Sequence, residues 1–266
     1  MVRYVQDDFT TGKALSSCWK PWTTGGGVVR MQPEGLQLLL PPASGDVYAD
    51  AQITDYAGLP RRAFPWRPPL RMTVRAYASG SAESLRGTAG FGFWNDPFMP
   101  GRRELPRLPR AVWFFFGGPA SNMSLALAQP GHGWKAATFD PLRPLFFALL
   151  PFAPIGFPLM RIPALYRALW PVAQRALGVA EAVLPGGLLA APHDYSIEWA
   201  VDSVTFKVDN RPVLVTDRSP GGPLGFIAWI DNQYAVITPQ GRFGWGVVPC
   251  AAQWLLLQRL AVAALA

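Results

Sequence analysis

His193-Asp-Tyr-Ser-Ile-Glu-Trp199, followed by Asp202-Ser-Val-Thr-Phe-Lys-Val-Asp-Asn210 and then Arg211-Pro-Val213, is the stretch that decides the fold class. Tyr195, Ile197 and Trp199 alternate with Ser196 and Glu198, and Val204, Phe206 and Val208 alternate with Thr205 and Lys207. Side chains at i and i+2 leave a strand on the same face, so this pattern marks strands with one face buried. Asp209-Asn210 has the chemistry of a tight hairpin turn, because both residue types tolerate positive φ. The segment therefore predicts neighbouring antiparallel strands over 195–201 and 203–208, continuing into a third over 211–216.

The same period recurs on both sides. Residues 47–56 set Val47, Ala49, Ala51 and Ile53 against Tyr48, Asp50, Gln52 and Thr54. Residues 70–78 set Leu70, Met72, Val74 and Ala76 against Arg71, Thr73, Arg75 and Tyr77. Further strands are expected over 28–31, 35–40, 88–94, 124–128, 225–231 and 254–263. Ala111-Val-Trp-Phe-Phe-Phe116 is a short continuous apolar run, which suits a central strand covered on both faces. The Pro- and Arg-rich stretches 60–69 and 97–109 read as loops. Regularly spaced strands with turn signals between them predict an all-β antiparallel sandwich, or jelly roll, as one domain over 1–266.

One block breaks the pattern. Residues 141–192 are apolar and rich in Pro and Leu, with Arg143, Arg161, Arg167, Arg175 and Glu181 as their charged residues. Pro144, Pro151, Pro154 and Pro158 oppose a continuous helix in the first part. That part is also shorter than the roughly 20 residues a membrane span needs. Residues 162–184 are more helical, with Leu165, Leu169, Val172, Ala173, Ala176, Leu177 and Ala180 on one face. Phe146, Phe147, Phe152 and Phe157 have few polar neighbours. With Leu165, Leu169 and Trp170 they are candidates for a membrane-facing surface or for a lid over an apolar cavity. A helical hairpin packed against the sandwich as plain core is the other reading.

Of the 266 residues, 50% are hydrophobic and 15% charged, and the formal charge is +7. Arginines concentrate at Arg61, Arg62, Arg67, Arg71, Arg75, Arg86, Arg102, Arg103, Arg107 and Arg110, a surface for anionic lipid if they gather there. No helix-turn-helix, zinc-finger or RNA-binding signature accompanies them, so nucleic acid is not an expected partner. The first residues are too polar for a signal peptide, so a cytoplasmic protein with reduced Cys18 and Cys250 is expected. Two cysteines and two histidines, His132 and His193, do not make a Cys/His metal cluster.

The segment from His193 to Asn210, with Asp209-Asn-Arg-Pro-Val213, resembles the concanavalin A-like lectin/glucanase superfamily, in particular family 16 glycoside hydrolases. Residues 70–78 followed by Gly90–Trp94 are similar to the strand pair that leads to that family's catalytic strand. The resemblance implies a concanavalin A-like sandwich with a binding cleft on one sheet. It also implies carboxylates at i, i+2 and i+4 of the strand matching 111–116, where a retaining glycosidase holds its two carboxyls about 5 Å apart. Ala111-Val-Trp-Phe-Phe-Phe116 contains no acid, and Asp50, Asp55, Asp96 and Asp231 show no paired spacing. Many members hold a structural calcium between an acid near the N-terminus and one on the last strand. Asp7 and Asp8 match the first, but Leu257-Gln-Arg-Leu260 supplies no second, so no cofactor is expected.

An aromatic strand in place of carboxylates predicts an apolar cleft. The expected function is non-hydrolytic binding of a lipid, glycolipid or other apolar small molecule at an aromatic concave face, near a membrane. Trp94, Trp113, Phe115 and Trp229 are the expected rings, with Asp231, Asn232 and Tyr234 as polar partners. The alternatives are an isomerase or cyclase using Asp231, Tyr234, His193 or Asp96 as acid or base, and a module that docks on a membrane partner.

Overall fold

The computed structural model describes residues 4–9, 14–98 and 105–265. In chain order its strands are β1 (Val5–Asp7), β2 (Lys20–Thr24), β3 (Val28–Gln32), β4 (Gly35–Leu40), β5 (Asp50–Thr54), β6 (Leu70–Ala78), β7 (Thr88–Trp94), β8 (Ala111–Gly117) and β9 (Gly133–Phe139). Three helices follow, α1 (Pro144–Leu149), α2 (Ala153–Leu159) and α3 (Pro163–Ala176). The chain then returns to strands: β10 (Ala180–Val183), β11 (His193–Trp199), β12 (Val204–Val208), β13 (Arg211–Thr216), β14 (Gly225–Asp231), β15 (Gln233–Ile237), β16 (Phe243–Val247) and β17 (Gln253–Ala264).

Two antiparallel sheets make the sandwich. One runs β13-β12-β11-β6-β17-β4-β3 with β1 on β17, the other β10-β9-β8-β7-β14-β5-β2, and β15 and β16 form a separate hairpin. β11 and β12 are neighbours in the expected register, Tyr195 opposite Val208 and Trp199 opposite Val204. Asp209 and Asn210 turn between β12 and β13 with φ of 47° and 62°, as a type I′ hairpin requires. The segment 124–128, expected as a strand, is instead loop; the strand that follows β8 is β9, whose Lys135 and adjacent Ala136 and Ala137 give no apolar period to read.

Strand β8 sets the core. Val112, Phe114 and Phe116 point between the sheets and are buried there. Phe114 lies 5.7 Å from Phe91 of β7 and 5.9 Å from Trp134 of β9, ring centre to ring centre. From the facing sheet it meets Tyr195 at 5.0 Å and Phe206 at 5.3 Å. These edge-on and offset contacts tie both sheets to one ring.

The helices occupy only 144–176 of the 141–192 block. β10 is the edge strand of the seven-stranded sheet, and Leu184 and Leu189 join the sandwich core. β9 and β10 are antiparallel, Thr138 opposite Ala180, so the helical segment leaves and rejoins the sheet at one place. Pro144 and Pro163 start helices at positions where no backbone donor is needed. α3 ends at Gly178, whose φ of 61° closes it with Val179 N–H donating to Gln174 O at 3.1 Å. A side chain at Gly178 would meet the Asp140 carbonyl at 2.7 Å, so the position requires glycine on both counts. The helix stops there rather than running to 184.

The packing yields a contrast between adjacent residues. Phe114→Ala removes a buried ring from both sheets and is expected to cost about 3–5 kcal/mol in urea unfolding. Phe115→Ala, on the opposite face of the same strand, is expected to cost well under half of that. Equal losses would show that β8 does not alternate as described.

Candidate functional site

The outer face of the seven-stranded sheet carries the rings expected from the sequence. Residues pointing outward are Trp113 and Phe115 on β8, Trp94 on β7, and Ile227 and Trp229 on β14. Trp113 is central: its ring lies 5.4 Å from Phe115, 5.3 Å from Trp229 and 6.1 Å from Trp94. Tyr56, Phe64 and Leu59 from the loop after β5 close one side, and the Trp94 indole N–H donates to the Tyr56 hydroxyl. Trp94, Trp113 and Phe115 stay half-buried, so ring surface remains open to a ligand.

Glycine makes this floor flat. Gly90 of β7 lies opposite both Trp229 and Phe115, and a Cβ there would stand 2.9 Å from the Trp229 ring. The two rings can lie over β7 only because that residue has no side chain.

The helical segment leaves and rejoins the sheet on the β9–β10 side of the floor. It starts at the Phe139 end of β9, yet it is fastened at the opposite end of the sheet. There the Trp170 indole N–H donates to Leu125 O at 2.8 Å, and Phe157 packs 5.8 Å from Phe243 on β16. Beside it on the outer face lies a buried ion pair, Lys135 Nζ to Glu181 Oε2 at 3.0 Å. Burial raises the Glu181 carboxyl above its usual range against the opposing pull of Lys135.

With this geometry in place, comparison with solved structures identifies the fold. A GlcNAcα1-4Gal-releasing endo-β-galactosidase from Clostridium perfringens matches at TM-score 0.54 and 15% identity, over 98% of this chain and 62% of that one. A prokaryotic β-1,3-1,4-glucanase (lichenase) from a mouse hindgut metagenome matches at 0.53 and 11%, over 98% and 99%. The Ca2+/Man-bound VIP36 exoplasmic/lumenal domain matches at 0.50 and 10%, over 100% and 92%. The fold is concanavalin A-like. No family model matches the chain, and no curated protein matches its sequence.

Within the concanavalin A-like sandwich, the outward positions of β8 are Ala111, Trp113, Phe115 and Gly117, with no acid among them. An acid pair does exist elsewhere on this face, one that sequence spacing did not reveal. Asp50 and Asp231 sit directly opposite each other across β5 and β14. They are 1% and 6% exposed. Asp231 Oδ1 accepts from Thr88 Oγ1 at 2.8 Å and from the backbone of Thr88 and Gln233, and Thr88 Oγ1 in turn accepts from the Trp229 indole. Neither Asp50 oxygen has a hydrogen-bond partner. Burial, then the charge of Asp231, pushes Asp50 well above the usual carboxylate range; burial also lifts Asp231 to about 6 against the pull of Thr88. The Tyr48 hydroxyl is raised too, by burial and then by these two acids.

The other expected polar partners disperse. Asn232 is wholly buried and structural, its amide holding Ala49 N–H, Val47 O and Val248 O. Tyr234 lies over Gly246 within the β15–β16 hairpin. His193 is on the other sheet, its Nδ1 2.6 Å from Asp209 Oδ2, and Asp96 sits in a loop whose carbonyl accepts from Arg61. The acid/base set Asp231, Tyr234, His193 and Asp96 therefore does not converge on one spot.

The arginine-rich region also divides. Arg61 is buried and donates to the carbonyls of Asn95, Asp96, Pro97 and Leu105. Arg71 and Arg75 pair with Glu198 and Asp194 on the outside of the eight-stranded sheet. Arg102 and Arg103 lie outside the described residues. Asp7, a sequence candidate for calcium, spends its carboxylate on Phe9 N–H and the Trp19 indole.

The acid pair sets a pH dependence. Both carboxyls keep their protons to higher pH in the folded chain than the usual 3.8. The pair's contribution to stability is therefore fully present below pH 3.8 and is lost as pH rises through about 6 and above. Asp50→Asn, whose amide can donate to Asp231, is expected to raise the unfolding midpoint at pH 8 by roughly 3–5 °C and to leave it unchanged at pH 4. A lower midpoint at pH 8 would mean that the Asp50 charge is needed for folding.

Proposed function

We propose that the protein binds an amphipathic glycan-bearing molecule, a glycolipid in the simplest case, on the aromatic face of the seven-stranded sheet, and does not hydrolyse it. The observation that carries this reading is the half-open floor of Trp94, Trp113, Phe115 and Trp229 beside the Tyr56 loop. The apolar face of a sugar ring, or a lipid chain, fits against such rings, while the floor offers few polar groups to a fully hydroxylated polymer. Proteins of the same fold act on or bind glycans, among them a Crh5 transglycosylase in complex with NAG. Hydrolysis is disfavoured because β8 has no acid on this face and because Asp50 and Asp231 are buried side by side rather than set across an open cleft.

The test is a tryptophan-fluorescence titration with alkyl glucosides and alkyl maltosides below their micelle concentrations, with decanol-saturated buffer and free maltose as controls. Trp113→Ala is expected to weaken alkyl glycoside binding about tenfold or more, and Gly90→Val to do the same by displacing the Trp229 ring. Binding that depends on neither variant, or sugar release that disappears in Asp231→Asn, would overturn the reading.

A further inference from the structure

The helices and the β15–β16 hairpin share an exposed apolar surface that the ligand reading does not use. Phe147, Leu150, Phe152 and Ile155 project from α1, α2 and the turn between them, with Phe152 63% and Ile155 66% exposed. On the hairpin, Phe243 and Trp245 leave β16 on one face, 63% and 82% exposed. Phe157 joins the two elements through its contact with Phe243. A surface tryptophan exposed to this degree beside exposed phenylalanines is rarely left to water.

Its charge identifies the occupant. No Asp or Glu occurs over 141–180 or over 232–266. Arg161, Arg167, Arg175 and Arg242 are exposed, and none forms an ion pair among the described residues. Arg143, at the start of the same segment, donates instead to Ser219 O. Apolar rings flanked by unpaired arginines match the interface of an anionic bilayer, where rings enter the acyl boundary and guanidiniums reach phosphates. A second copy would bring the same cations together. No described helix is long and apolar enough to cross a membrane, so contact would be with one leaflet.

We infer that the protein docks on anionic phospholipid surfaces through α1, α2, the margin of α3 and the tip of the β15–β16 hairpin. This inference does not rest on the ligand reading, since its residues lie off the aromatic floor.

The experiment is co-sedimentation of the whole chain with phosphatidylcholine vesicles, with and without phosphatidylglycerol. Retention is expected only with the anionic lipid and should fall as salt rises. Each of Arg161→Gln, Arg167→Gln and Arg242→Gln should weaken partitioning about fivefold, and Trp245→Ser together with Phe152→Ser should abolish it. All are exposed, so circular dichroism and the unfolding midpoint should not change. Trp113→Ala should retain vesicle binding, which separates failure here from failure of the ligand reading. Equal retention on neutral vesicles, no retention on either, or a concentration-dependent dimer that shields Trp245 would each overturn the inference.

Discussion

The period of two along β8 is the constraint on which the rest depends. Phe114 faces the other sheet and meets rings from β7, β9, β11 and β12. Trp113 and Phe115 face the opposite way and form the floor with Trp94 and Trp229. A shift of register by one residue would exchange the two sets. The floor is therefore positioned by the core, not by loops. The rings of the site stand on a strand that cannot move without opening the sandwich.

Charge is distributed in the opposite sense. On the outer face of the seven-stranded sheet two pairs of ionisable groups are buried, Lys135 with Glu181 and Asp50 with Asp231. A buried ion pair gives little net stability over an apolar pair of the same shape, but removing one partner leaves an uncompensated charge. On the helices and hairpin the cations Arg161, Arg167, Arg175 and Arg242 are exposed instead. An apolar floor and a cationic rim are thus separate surfaces on neighbouring elements, joined by the Phe157–Phe243 contact.

Alternation was readable wherever one face of a strand is polar, as over 70–78 and from His193 to Val208, and there registers and neighbours follow from the residues. It failed for β9, because a buried Lys135 paired to a distant Glu181 looks like a solvent residue in sequence. It failed for the hairpin, because Phe243-Gly-Trp-Gly-Val247 points its large residues away from the core. On α3 the face read from the sequence divides: Leu169 and Val172 are exposed and Ala176 is buried, while Trp170, named beside Leu169 as a surface contact, is buried and donates to Leu125 O. The rings of the floor were legible as outward positions on apolar strands. The Asp50–Asp231 pair was not, since only the β5–β14 register brings two such distant residues together. Asp50 did stand on the polar side of its alternating segment, which was the one available signal.

The meeting of the helical segment's two ends at the Thr138–Ala180 pair has a consequence for how such a chain can change over generations. The segment is in effect an overgrown hairpin loop. Closing a loop twice as long costs only about 0.6 kcal/mol more, and the strands on either side keep their pairing whatever the loop contains. Insertions, deletions or wholesale exchange between Pro141 and Val179 are accordingly among the least disruptive alterations open to this sandwich. Related chains can diverge most in length and composition there, while the strands that carry the aromatic floor stay nearly fixed.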